Sequence, residues 1–144
     1  MKEPPEQVKQ RKVLDIGGGR ASHIANVLPG AITLNPSQSA LPHVIGRGQA
    51  LPFQSASFNQ VTASFLPFNQ LEGTNLTQIL NESFRVLQSH GKLQILTRIG
   101  AENLATTESD CQAALKQSGF TNITLTQIAD IPALPATLIS AIKP

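Results

Sequence analysis

Residues 13–22 read VLDIGGGRAS. A short apolar run, Val13, Leu14 and Ile16, is broken by one acid, Asp15, and closes on Gly17, Gly18 and Gly19. Aliphatic residues bounded by glycine read as a short buried strand. Glycine adopts left-handed backbone and lets the main chain approach a ligand closely. A helix beginning just beyond would offer free N–H groups. The stretch therefore reads as strand, turn and helix entry. Either a ligand sits at the turn, or the turn is simply tight. A dinucleotide signature, G-x-G-x-x-G, fits at Gly17 and Gly19 but falls on Ser22 at its third glycine. A P-loop needs a Lys followed by Ser or Thr, which the chain does not supply here, so a P-loop kinase or ATPase is excluded.

Outward from this turn, strand and helix signals alternate. Ser22–Leu28 reads as a short helix with Ile24, Val27 and Leu28 on one face, stopped by Pro29 and Gly30. Ala31–Leu34, His43–Ile45 and Gln60–Ser64 read as strands, and 49–58 as irregular. Thr74–Leu87 is the longest predicted helix, with Leu76, Ile79, Leu80, Phe84 and Leu87 at helical spacing and a stop at Ser89–His90–Gly91. Lys92–Thr97 follows as a strand and Glu108–Gln117 as a helix closed by Ser118 and Gly119. Asn122–Gln127 and Thr137–Ile142 are two further strands with no helix between them, which predicts an antiparallel hairpin. Alternating strands and helices predict a parallel sheet with helices on both faces. Ligands of such sheets bind beyond the carboxyl ends of the strands, where the glycine turn lies.

The 144 residues suit one domain, with residues 1–11 as a flexible arm and 12–144 as the folded unit. Only 14% of residues are charged, against roughly 25% in an ordinary globular domain. The net charge of +2 is scattered, so there is no basic face of the kind nucleic acid requires. Cys111 is the one cysteine, which rules out an internal disulfide or a cysteine zinc site, and no metal site is predicted. Its neighbours Ala113, Ala114 and Leu115 point to a buried structural thiol. No apolar run is long enough to span a membrane, and MKEPPEQ at residues 1–7 is no signal peptide, so a soluble, cytoplasmic protein is expected.

At the motif level, VLDIGGGRAS resembles the D-x-G-x-G-x-G motif of the class I S-adenosylmethionine-dependent methyltransferases, with Asp15, Gly17 and Gly19 matching and Ala21 at the third glycine. GRGQALPFQSASFNQV (46–61) is similar to the family stretch around A-L-P-F and F-D-x-V. ILNESFRVLQSHGKLQIL (79–96) resembles E-x-x-R-V-L-x-P-G-G-x-L, and LKQSGFTNITL (115–125) the late helix, Gly-Phe turn and sixth strand. The resemblance spans residues 12–143 in order and is closest to the small-molecule group labelled type 11. It implies a Rossmann-like α/β sheet of seven strands, order 3-2-1-4-5-7-6, with the last strand antiparallel. It also implies S-adenosylmethionine as cofactor and methyl transfer to a small-molecule acceptor. Asp15, Gly17, Gly18 and Gly19 would hold the methionine end, Asn35 and Pro36 the ribose and adenine. Gln49 and Ala50 would flank adenine, and Ser64 and Phe65 would form the lip of the cleft.

Three departures bear on that site. AITLNPS (31–37) places Asn35 where the family has an acid for the ribose hydroxyls, and an amide lacks the charge that strengthens such bonds. Arg47 stands where an acid accepts from adenine, and a guanidinium has only donors, so it swings to solvent or the pocket differs. Asn59 replaces the acid of F-D-x-V and serves a turn. The family's helices before the glycine motif have no counterpart in residues 1–11, which leaves room for a second subunit or a fused domain to close the cleft. No catalytic base stands out among His23, His43 and His90, and methyl transfer depends chiefly on positioning. Three accounts of the altered pocket stand: a different bond set around the same cofactor, loss of the cofactor, or a phosphorylated nucleotide. With them stand two alternative functions, a catalytically inactive binding module and an effector or toxin module of a larger protein.

Overall fold

The computed structural model describes residues 13–17, 30–64, 73–97, 104–128 and 136–144. Seven strands form one sheet: β1 (Val13–Ile16), β2 (Ile32–Asn35), β3 (Val44–Ile45), β4 (Phe58–Ser64), β5 (Leu87–Thr97), β6 (Thr121–Ile128) and β7 (Ala136–Ile142). Helix α1 (Gly73–Val86) joins β4 to β5, and α2 (Leu104–Ser118) joins β5 to β6. The strand order is β3-β2-β1-β4-β5-β7-β6, with β7 antiparallel to both neighbours and the other pairs parallel. The expected order and terminal hairpin are both present.

Side chains in a strand alternate between faces, and partners in register share a face. Leu14, Ile16, Val61, Ala63, Leu93, Ile95, Ile139 and Ala141 line one face. They form the core with Leu76, Leu80 and Val86 of α1 and with Cys111 and Leu115 of α2. Cys111 is buried there, as its apolar neighbours implied.

The other face carries a transverse polar row. Register places Thr33, Asp15, Thr62, Gln94, Ser140 and Thr124 side by side from β2 to β6. Strands buried on both faces read as near-continuous apolar runs, whereas these alternate. Burial falls along the row: Thr33, Asp15 and Thr62 are buried, Gln94 and Ser140 are half-buried, and Thr124 is exposed. The helix expected over residues 22–28 lies outside the described residues.

The expected boundary of the long helix is corrected. The helix ends at Val86, and Leu87 already pairs with Phe58 as the start of β5. The turn at Ser89–His90–Gly91 is looped out within that strand, with His90 at φ 68°, and pairing resumes between Gln60 and Lys92. Asn59 therefore lies in β4 opposite this irregularity, rather than in a turn. A three-residue 3₁₀ turn, Gln38–Ala40, also fills the segment between β2 and β3.

Lys143 fastens the end of α1. Its Nζ donates to the carbonyl oxygens of Phe84 and Leu87, both at 2.8 Å, and lies 4.6 Å from the centre of the Phe84 ring. A cation at the carboxyl end of a helix meets unpaired carbonyls and the negative end of the helix dipole. We expect Lys143→Met to lower unfolding free energy by about 1–2 kcal/mol. Urea unfolding of the two proteins measures this, and an unchanged midpoint would show that the clasp carries no stability.

Candidate functional site

Asp15 sits one residue from the end of β1, between Thr33 and Thr62. Leu14 and Ile16 both face the core, so Asp15 must point the other way. It is only 1% exposed. Thr62 Oγ1 donates to Asp15 Oδ1 at 3.0 Å. Oδ2 has no partner among the described residues. Burial pushes the Asp15 carboxyl above its ordinary range, and the Thr62 hydrogen bond offsets this in part. A buried acceptor without a donor costs about 1–3 kcal/mol, more when charged. Among the described residues, the site thus holds an acceptor short of one donor.

Gly17 follows with φ 87°, a left-handed conformation that side chains rarely adopt. Its N–H donates to the Leu34 carbonyl at 2.7 Å. Asn35 Nδ2 donates to the Gly17 carbonyl at 2.9 Å, and Asn35 Oδ1 accepts from Ser37 N–H at 2.8 Å. Gly46 N–H donates to the Asn35 carbonyl at 3.1 Å. The ends of β1 and β2 and the turn after β3 are therefore joined through Asn35.

Residues 47–50 form a tight turn closed by Ala50 N–H on the Arg47 carbonyl at 3.2 Å. Gly48 is buried in it, and a Cβ there would come within 3.1 Å of Ile16 and 3.2 Å of Ile79. That close approach holds the turn against β1 and α1. Gln49 is half-buried, with its Nε2 3.5 Å from Asn75 Oδ1, a long contact. Arg47 and Ala50 are exposed.

Two residues that position this segment had no role assigned from sequence. Glu82 and Arg85 stand three apart on α1, and Arg85 Nε donates to Glu82 Oε2 at 2.7 Å. Arg85 also donates to the carbonyls of Phe53 (2.7 Å) and Leu51 (3.0 Å), while Glu82 Oε1 accepts from Leu51 N–H at 2.8 Å. The pair clamps the segment that continues from the 47–50 turn. The E-x-x-R spacing was the available signal, but it does not reveal main-chain targets.

Asp15, Gly17 and Asn35 are brought together, with the 46–50 turn joined to them. Pro36 is exposed beside Asn35, and Ser64 ends β4, paired with Leu96. Gly18, Gly19 and Phe65 lie outside the described residues, as does His23. His43 Nδ1 accepts from Thr33 N–H at 3.0 Å, a structural role. Among the described residues no cluster of His, Cys, Asp or Glu could hold a metal, and no helix is long and apolar enough to cross a membrane.

No protein-family model matches this chain, and no curated protein does. Solved structures do. An S-adenosylmethionine-dependent methyltransferase from Thermotoga maritima superposes with TM-score 0.71 at 17% identity, over 92% of this chain and 82% of that one. The chain has the methyltransferase fold. A methyltransferase from Methanosarcina mazei gives TM-score 0.70 at 13% identity over 99% of each chain. The geranyl diphosphate C-methyltransferase of Streptomyces coelicolor, solved with S-adenosyl-L-homocysteine, gives 0.68 at 10% identity over 94% of this chain and 70% of that one. At these identities the likeness is one of fold, and the class I methyltransferase sheet order is reproduced strand for strand.

The clamp makes a pH-dependent prediction. The Arg85 hydrogen bond holds the Glu82 carboxyl below its ordinary range, with burial opposing and the Leu51 amide assisting. A depressed folded pKa stabilises the fold above the unfolded value of 4.5, and that stability is lost as pH falls through the folded value. We expect Glu82→Gln to cost about 1–2 kcal/mol at neutral pH, with the deficit closing as pH falls below 4.5. Urea unfolding of both proteins across pH checks it, and a pH-independent deficit would contradict the ionic role.

Proposed function

We propose that this protein binds S-adenosylmethionine at the carboxyl ends of β1, β2 and β4 and transfers its methyl group to a small-molecule acceptor in the cytoplasm. The observation that carries the reading is the buried Asp15 carboxylate, with one oxygen lacking a donor among the described residues, two residues before the left-handed Gly17. Asp15 Oδ2 would accept a hydrogen bond from the methionine ammonium. Gly17, with Gly18 and Gly19, lets the main chain approach that end of the cofactor. Asn35 and Pro36 would hold the ribose and adenine, Gln49 and Ala50 would flank the adenine, and Ser64 and Phe65 would form the lip. When bound, the cofactor supplies an electrophilic methyl group on a sulfonium. The chain's own contribution is to fix that group in line with the acceptor and to keep water away. The fold supports this reading, and the quoted motifs resemble those of the small-molecule type 11 enzymes.

Calorimetric titration with S-adenosylmethionine and S-adenosylhomocysteine, with NADP and ATP as controls, tests it. Micromolar binding of the first pair alone is expected, and no binding of either would overturn it. Asp15→Asn sharpens the test. A carboxyl whose folded pKa is raised contributes stability that is present below its unfolded value and lost as pH rises through the folded value. The variant should therefore melt higher than wild type at neutral pH, yet bind S-adenosylhomocysteine about tenfold or more weakly. Unchanged affinity would remove Asp15 from the site.

A further inference from the structure

Asn35 is bonded to three separate turns. Its side chain donates to the Gly17 carbonyl and accepts from Ser37 N–H, and its own carbonyl accepts from Gly46 N–H. The Gly17 carbonyl needs a donor and the Ser37 amide needs an acceptor. A primary amide supplies both at once, from two separate atoms. Exchanging its oxygen and nitrogen would set oxygen against oxygen and N–H against N–H, so the partners fix the orientation. A carboxylate would satisfy Ser37 but would place an anion where Nδ2 now lies, 2.9 Å from the Gly17 carbonyl oxygen. Relief then comes by opening the glycine turn or by taking up a proton and donating it.

We propose that Asn35 is a positioning residue whose amide locks the Gly17 turn to the turn after β2, so that an acid at this position weakens ligand binding. This rests on the reading of the site as an S-adenosylmethionine pocket. It reverses the expectation that Asn35 is a diminished form of the family's acid. The remaining Nδ2 hydrogen and Oδ1 lone pair leave Asn35 a neutral contact for a ribose hydroxyl, acting through geometry and without charge.

The test compares wild type, Asn35→Asp and Asn35→Ala by calorimetry with S-adenosylhomocysteine and by melting temperature. Measurements at about pH 7.5 and about pH 5 use the protonation of the new carboxyl as the readout. Among the described residues, the other titratable or charged groups on the packed elements are Asp15 on β1, His43 before β3 and Arg47 after Gly46. All three proteins share them, so the ratio to wild type at each pH removes their effect. At neutral pH affinity and melting temperature should both fall from wild type to Asn35→Ala to Asn35→Asp, by about tenfold or more in affinity for the last. Near pH 5 Asn35→Asp should recover to at least the level of Asn35→Ala. Tighter binding by Asn35→Asp than by wild type at neutral pH would overturn the proposal, as would an aspartate no worse than alanine. If Asn35→Asp fails to fold at neutral pH, Asn35→Ala carries the test, and unchanged affinity overturns it. If wild type binds no S-adenosylhomocysteine, the methyltransferase reading falls, while the order of melting temperatures still decides the lock.

Discussion

β1 has a parallel neighbour on each side, and that pairing constrains the whole carboxyl end of the sheet. Four residues in such a strand must alternate. With Leu14 and Ile16 committed to the helix-covered face, Asp15 has nowhere to go but the other one. A slip of one residue would drive the carboxylate against α1 and strip Leu14 and Ile16 from the core. The acid is thus held by the burial of its neighbours rather than by a strong bond of its own. Its bond to Thr62 satisfies one oxygen, and the other has no partner among the described residues.

The surrounding loops are positioned by hydrogen bonds more than by packing. Residues 46–57 contain no helix and no named strand, yet they are stitched along their length. Gly46 is tied to β2, Leu51 and Phe53 to Glu82 and Arg85, and Ala56 and Ser57 to the carbonyls of Arg85 and Val86. Each such bond contributes only about 1 kcal/mol net. Together they make the loop continuous with the last turns of α1. The edge-to-face contact of Phe53 with Phe58, centroids 5.1 Å apart, then anchors it to the core.

Much of the fold was legible because alternation and glycine punctuation are local signals. VLDI, ITLN and KLQIL each announce a strand with one apolar face, and the missing helix between the last two strands announces the hairpin. The site was legible only where a residue type is demanding, as at Asp15 and Gly17. Glu82 and Arg85 escaped because their targets are main-chain atoms more than thirty residues away, which no side-chain pattern encodes. Asn35 was identified as a site residue but not for its two bonds, since neither Gly17 nor Ser37 differs in sequence when bonded. The start of β5 was missed because Leu87 continues the apolar spacing of α1, and only its pairing with Phe58 makes it a strand.

The falling burial of the polar row also shapes how this sequence can diverge. At Ser140 or Thr124, one small polar residue can replace another without disturbing the core, so substitutions there are close to neutral. At Thr62 an exchange for a residue without a hydroxyl removes the group that bonds Asp15, and at Thr33 it removes the hydroxyl that bonds His43. Mutational tolerance therefore runs along the sheet as a gradient, strictest at β2, β1 and β4 and loosest at β6. A lineage can rework the open end of that face while the glycine turn and its acid stay in place.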